Sequence, residues 1–183
     1  ASDGWENGVD FNTWWISDNV RYENGMASLY ISEMKEEDKP ANVQTAEYFG
    51  GEMRTTHFYG YGDYTVRMKP SDTPGTASTF FVCTGDYDKW YDEDGNVVKE
   101  NPWDEIDIEF LGYDTTRGQF NFFAAGVGNH EKWIDLGFDA SEEFHDYGFR
   151  WTPDDITWFV DNEPVYKVWR NDVKEGEGWP TTP

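Results

Sequence analysis

Cysteine, leucine, histidine and positive charge are all scarce in this chain. The single cysteine, Cys83, excludes an intramolecular disulfide, and leucine is confined to Leu29, Leu111 and Leu136. Lys and Arg number 14 against 37 Asp and Glu, for a formal net charge of −23 in 183 residues. With a pI near 4.2, the long-range field repels nucleic acid and polyanions such as sulfated glycans, and leaves neutral substrates open. No run approaches the roughly 18 apolar residues that span a bilayer, so no membrane partner is expected. No basic segment followed by an apolar one opens the chain, so any export signal is expected to have been removed or to lie outside this sequence.

Aromatic residues are abundant: 10 Trp, 11 Tyr and 13 Phe, with 18 Gly spread between them. That enrichment excludes a disordered acidic chain and is the composition of an all-β fold. No repeat, linker or composition shift divides residues 1–183, which are expected to form one domain. Strand candidates recur at Ser28–Ser32, Glu52–Phe58, Tyr64–Lys69, Ala77–Thr84, Glu105–Leu111, Gln119–Ala124, Lys132–Leu136, Tyr147–Trp151, Ile156–Val160 and Val165–Trp169. Asp161-Asn162-Glu163-Pro164 reads as a hairpin connection. Strands at this spacing predict a sandwich or barrel. Residues 86–101 carry Asp86, Asp88, Asp92, Glu93, Asp94 and Glu100, with a turn at Asp94-Gly95-Asn96. They do not follow the ligand order of an EF-hand, and are expected to form a solvated loop or small hairpin, or to overhang a cleft.

The informative segment is Trp103-Asp104-Glu105-Ile106-Asp107-Ile108-Glu109-Phe110-Leu111-Gly112. Side chains alternate faces along a strand, so Glu105, Asp107 and Glu109 share one face and Ile106, Ile108 and Phe110 the other. The second is a core face. Three carboxylates in a row repel one another, and folding does not require them. A solvated acidic face is one explanation; a metal site is weaker, because no His or further carboxylate sits at ligand spacing. Paired-carboxylate glycoside hydrolysis is the third. Residues four apart on a strand have Cα atoms about 13 Å apart at roughly 3.3 Å rise. Side chains leaning inward on a curved strand bring two carboxyls to about 5–5.5 Å, the separation of a retaining glycosidase. The intervening Asp raises the acid's pKa and orients the nucleophile. Trp103 offers an apolar platform for a sugar ring.

The 103–112 segment resembles the active-site strand of glycoside hydrolase family 16, and closely that of its licheninases, the endo-1,3-1,4-β-glucanases. Asp3-Gly4-Trp5-Glu6-Asn7-Gly8, Glu52-x-Arg54, Tyr59-Gly60-Tyr61-Gly62, Gln119-Phe120-Asn121, Gly128-Asn129-His130-Glu131-Lys132, Phe144-His145-x-Tyr147, Trp151 and Trp158-x-Val160-Asp161 resemble that group in order and spacing. The resemblance implies a curved, concanavalin-like jelly-roll β-sandwich of two antiparallel sheets. It implies Glu105 as nucleophile, Asp107 as its partner and Glu109 as general acid/base. Substrate contacts are implied for Trp5, Asn7, Glu52, Arg54, Phe81, Trp103, Asn121, Phe123 and Glu131. Plainer roles stand beside these: Glu52 and Arg54 pairing with neighbouring charges, Asn121 satisfying a turn, Trp5 as a half-buried aromatic. His57, His130 and His145 are expected to be structural.

Cys83 and Phe123 stand where licheninases usually carry Tyr, and Thr13 and Gly50 where many carry a disulfide pair. Relative to the family, strands are expected to be missing at both ends, so a monomer is expected unless another chain supplies them. No cofactor is implied for catalysis; the family's structural calcium would touch the backbone of Gly25. The implied activity is endo-acting, retaining cleavage of β-1,4 bonds next to β-1,3 bonds in mixed-linkage β-glucan, by a secreted, extracellular enzyme. Xyloglucan-active relatives share the Glu-x-Asp-x-Glu spacing, but the Gly-Asn-His-Glu-Lys stretch favours the licheninase side. Laminarinases generally carry one more residue before the second Glu. A non-catalytic glycan-binding jelly roll is the rival from another class, and it gains nothing from three mutually repelling acids.

Overall fold

A computed structural model describes residues 1–84, 89–91, 93–100 and 103–181, with 89–91 and 97–100 described in backbone only. Two compact units divide the chain, Ala1–Phe58 and Tyr59–Pro183. Among the described residues there is no α-helix, only the single-turn 3-10 segments Ser17–Asn19, Glu36–Asp38 and Arg170–Asp172.

The first unit holds β1 (Trp5–Glu6), β2 (Thr13–Trp15), β3 (Val20–Glu23), β4 (Met26–Leu29), β5 (Ile31–Glu33) and β6 (Tyr48–Gly50). One sheet runs β1-β2-β6-β5, and β3 and β4 form a separate hairpin. Asn24 and Gly25 turn that hairpin with φ of 52° and 77°. Two successive positive φ values make the tight turn whose twist matches the flanking strands, and Asn-Gly is the pair that adopts it at least cost. The Glu6 carboxylate accepts the backbone N–H groups of Gln44, Thr45 and Ala46 at 2.9, 3.3 and 3.0 Å, tying that loop to β1. A Cβ on Gly50 would lie 2.4 Å from the Thr13 methyl, which fills the space beside β6.

Two strand expectations fail here. Ser28–Ser32 is split between β4 and β5 at Tyr30, whose N–H leaves the ladder to bond the Asn19 carbonyl at 2.8 Å. Glu52–Phe58 is not a strand: its side chains beyond Glu52 are uniformly exposed, so no buried face holds it in a sheet.

The second unit holds β7 (Gly62–Met68), β8 (Ala77–Thr84), β9 (Lys89–Tyr91), β10 (Val97–Glu100), β11 (Asp104–Leu111), β12 (Arg117–Phe123), β13 (Lys132–Asp135), β14 (His145–Trp151), β15 (Asp155–Val160) and β16 (Glu163–Trp169). Two antiparallel four-stranded sheets, β13-β12-β11-β8 and β16-β15-β14-β7, enclose its core. β9 and β10 pair around the Asp94-Gly95-Asn96 turn, so the acidic stretch includes a small hairpin. Residues 85–88, 92 and 101–102 of that stretch and its approaches lie outside the described residues. Asp161 and Asn162, with φ of 50° and 69°, close the β15–β16 hairpin. Pro164 sits on edge strand β16 beside a register shift, where its missing N–H costs no ladder bond.

Ile106, Ile108, Phe110, Phe120 and Phe122 pack from the first sheet against Tyr147, Phe149, Trp151, Ile156, Trp158 and Val160 of the second. Trp158 is fully buried, and its indole N–H donates to the Asp107 carbonyl at 3.1 Å. The opposite sheet thus holds the backbone of β11 at its middle residue. Ile108→Ala is expected to cost about 2–5 kcal/mol, because Ile108 is wholly enclosed and the site cannot collapse around the lost atoms. Urea unfolding checks this, as a lower midpoint at unchanged slope.

Candidate active site

Register places the carboxylate row at the centre of its sheet. Glu105, Asp107 and Glu109 lie opposite Phe123, Asn121 and Gln119 on β12, and opposite Cys83, Phe81 and Thr79 on β8. Directly opposed residues in an antiparallel pair share a face. Phe81, Asn121 and Phe123 therefore join the three acids, as does Trp103, two residues before Glu105. The same face continues to Trp133, opposite Gln119 on β13, where the Arg117 guanidinium lies 5.2 Å from the indole ring. Trp133 was not among the candidates; the signal for it was its place beside Lys132, two residues beyond Glu131 in a segment already singled out.

Burial along the row is uneven. Asp107 is 3% exposed, while Glu105 and Glu109 are half-buried. Loss of hydration, foremost, and then the charges of Glu105, Glu109 and Glu131 hold the Asp107 carboxyl well above the ordinary range, with a side-chain hydrogen bond to Glu105 acting the same way. Burial, then the Glu105 and Glu131 charges, push Glu109 up as well. Asp107 Oδ2 and, across the strand, Asn121 Oδ1 are buried without a hydrogen-bond partner. Unpaired buried acceptors cost stability and are kept where a ligand or water can satisfy them. The indole N–H of Trp103 donates to Glu105 Oε2 at 2.5 Å, and Trp103 stacks on Phe123 with centroids 5.1 Å apart and planes 9° from parallel. Glu131 is exposed, and reaches the row through its charge.

The remaining candidates lie in the first unit and form a cluster of their own. Arg54 Nε donates to Glu52 Oε1 at 2.5 Å and the guanidinium sits 5.1 Å from the Trp5 ring. Trp15 donates to Asn7 Oδ1 at 2.5 Å, and the Trp5 and Trp15 centroids are 5.9 Å apart. Glu52 is 8% exposed and its Oε2 is buried without a hydrogen bond. Gly25 sits in the β3–β4 turn, which accounts for its residue type. One carbonyl falls well short of the six to eight oxygens calcium takes, and no group of three His, Cys, Asp or Glu is placed to hold a metal among the described residues.

Two of the histidines stack on aromatic rings. His130 stacks on Phe122 at 3.9 Å and its Nδ1 lies 2.9 Å from the Phe122 carbonyl. His145 stacks on Phe138 and pairs with Asp161 at 2.7 Å. His57 is exposed.

The raised carboxyls make stability depend on pH. A group whose folded pKa exceeds its unfolded value favours the fold while both states are protonated, below about pH 4. That contribution is lost as pH rises through the folded value. Asp107→Asn, which keeps the shape without the charge, is expected to raise the melting temperature more at pH 7 than at pH 4. Equal shifts at the two pH values, measured by calorimetry, would contradict the buried-charge reading.

Comparison with known proteins places this architecture. A beta-glucanase of Brevibacillus brevis is 46% identical over 167 residues, covering 91% of this chain and 58% of that protein. A xylanase/beta-glucanase of Ruminococcus flavefaciens is 45% identical over 168 residues, 92% of this chain and 20% of that protein. The chain thus spans less than two thirds of either relative. The crystal structure of a prokaryotic β-1,3-1,4-glucanase (lichenase) from a mouse hindgut metagenome is 43% identical with a TM-score of 0.79, covering 98% of this chain and 78% of that one. The fold is accordingly the jelly-roll β-sandwich. With residues 7–183 matching the family described as Glycosyl hydrolases family 16, the chain belongs to that family.

Proposed function

We propose that this chain is an endo-acting, retaining glycoside hydrolase that cleaves β-1,4 bonds next to β-1,3 bonds in mixed-linkage β-glucan. One observation carries the chemistry: Glu105 and Glu109 share a face around a buried Asp107, and Glu109 is held toward its protonated form. Linkage specificity rests on the names of the relatives, a beta-glucanase and a lichenase among them. A neutral glucan is also the polymer that a chain of net charge −23 does not repel.

In the first step a Glu105 oxygen bonds the anomeric carbon from the face opposite the leaving group. The glycosidic C–O bond breaks, and its oxygen takes the proton held on Glu109. Asp107, itself protonated, donates toward Glu105 and orients it without adding a third negative charge. Formation of the glycosyl ester removes the Glu105 charge, one of the charges that raised Glu109. Glu109, now deprotonated, loses that pressure to regain a proton from the medium and takes one from the attacking water instead. Water adds to the anomeric carbon, the ester C–O bond breaks, and Glu105 is restored as a carboxylate.

Phe81, Asn121, Phe123, Trp103 and Glu131 are proposed to contact sugar around the row. Trp5, Asn7, Glu52 and Arg54 are proposed as a second sugar-binding cluster within their own unit, where the unpaired Glu52 Oε2 is suited to a sugar hydroxyl. The carboxylate mechanism needs no cofactor. A structural calcium at Gly25 would draw its other oxygens from elsewhere, and an unchanged melting temperature in EDTA would contradict it. Extracellular location follows from a polymer too large to import, and a monomer is the proposed working state.

Reducing-end release with product sizing tests the reading on mixed-linkage glucan beside laminarin, xyloglucan and carboxymethyl-cellulose. Tri- and tetrasaccharides from mixed-linkage glucan alone are expected; release centred on xyloglucan or laminarin would move the specificity. Glu105→Gln is expected to lower kcat by a factor on the order of 10⁴ with the fold intact. Retained turnover would refute Glu105 as nucleophile.

A further inference from the structure

Trp103 donates its indole N–H to a carboxylate of the acid row, Glu105 Oε2, and its own position is set by its neighbours. Its ring lies flat on Phe123, 9° from parallel. The ring of Phe123 in turn occupies the space beside Gly128, where an added Cβ would fall 2.5 Å from Phe123 Cε1. The backbone of the same strand start is pinned to the turn after β12. Gly126 N–H donates to the Trp103 carbonyl at 2.7 Å, and Ala125 N–H to Asp104 Oδ1 at 2.9 Å. Ala124 and Val127 close that turn with bonds of 3.1 and 3.0 Å in the two directions. Asp104 is buried and also accepts the Thr181 N–H at 2.8 Å, so it is a fixed anchor.

We propose that the column Gly128–Phe123–Trp103 sets the position of Glu105 by holding the Trp103 indole N–H on Oε2, which makes Trp103 a positioning residue as well as a sugar platform. The proposal rests on Glu105 being the nucleophile. A half-buried Glu side chain has three rotatable bonds, and attack on an anomeric carbon tolerates little misplacement. The backbone of β11 fixes only where the side chain starts. An N–H donor on one carboxylate oxygen fixes where it ends, and leaves the other oxygen for the attack. Phe123 suits the column for a physical reason: lacking a hydroxyl, it has no polar tip to satisfy and can be covered by a flat indole.

Trp103→Phe keeps a ring able to stack and removes the donor. Gly128→Ala keeps the donor and displaces Phe123. A 2-deoxy-2-fluoro-β-glucan oligosaccharide fluoride is the probe. A Glu105 oxygen bonds its anomeric carbon as the C–F bond breaks and fluoride leaves with the bonding pair, so no proton from Glu109 is needed. Peptide mapping of the labelled wild-type chain locates the ester. Both variants, checked by thermal melting, are expected to carry the label on Glu105 about ten- to a hundredfold more slowly, and to lower kcat on glucan by a larger factor than they raise KM. Labelling of Glu105 at the wild-type rate in Trp103→Phe, or a loss confined to KM, would overturn the column while leaving the nucleophile in place. A label on another residue would overturn the nucleophile assignment and the column with it.

Discussion

Strand β11 serves two chemistries with one backbone, and the alternation of its side chains is the constraint on which the rest depends. Ile106, Ile108 and Phe110 are buried against the opposing sheet. Because successive side chains point to opposite faces, that burial dictates where Glu105, Asp107 and Glu109 must go. A slip of one residue would drive three carboxylates into an aromatic core, a cost no pairing there could offset. The Trp158 indole on the Asp107 carbonyl fixes the same register from across the sandwich. The core thus holds the acids in place, and the acids need contribute nothing to folding.

They in fact oppose it. Asp107 is buried between two further carboxyls with one oxygen unpaired. Burial and the neighbouring carboxylates push it toward its protonated form, and the same surroundings raise Glu109. Clusters of this kind, perturbed by burial together with specific charged neighbours, mark functional sites more often than structural ones. The charges are also unequal in setting: Glu109 is pressed toward its acid form, while Glu105 accepts the Trp103 N–H. That inequality supports the proposed division of labour, in which one carboxyl donates a proton and the other attacks.

Much of this is legible in the linear chain. The strict period of two from Glu105 to Phe110 marks both faces of β11, and Ala77–Thr84 emerges with the bounds expected. Hairpins announced by Asp161-Asn162 and Asp94-Gly95-Asn96 occur where turn chemistry places them. What failed was local pattern without tertiary support: Glu52–Phe58 has strand-forming residues and no buried face. The column behind Glu105 was invisible because it depends on register, which brings Phe123 opposite Glu105 although the two are distant in sequence. For Trp133 the position two residues beyond Glu131 is a local hint, and the pairing of β13 with β12 is what places it on the acidic face.

On the proposed mechanism Glu105 forms a covalent intermediate at the anomeric carbon, and Glu109 acts as acid in its formation and as base in its breakdown. The most direct test is the configuration of the first sugar released from mixed-linkage glucan, followed by proton NMR before mutarotation. The account predicts that the β anomer appears first and the α anomer grows in only as the sugar equilibrates. An α anomer at the earliest times would mean a single displacement by water, and would contradict the roles assigned to Glu105 and Glu109.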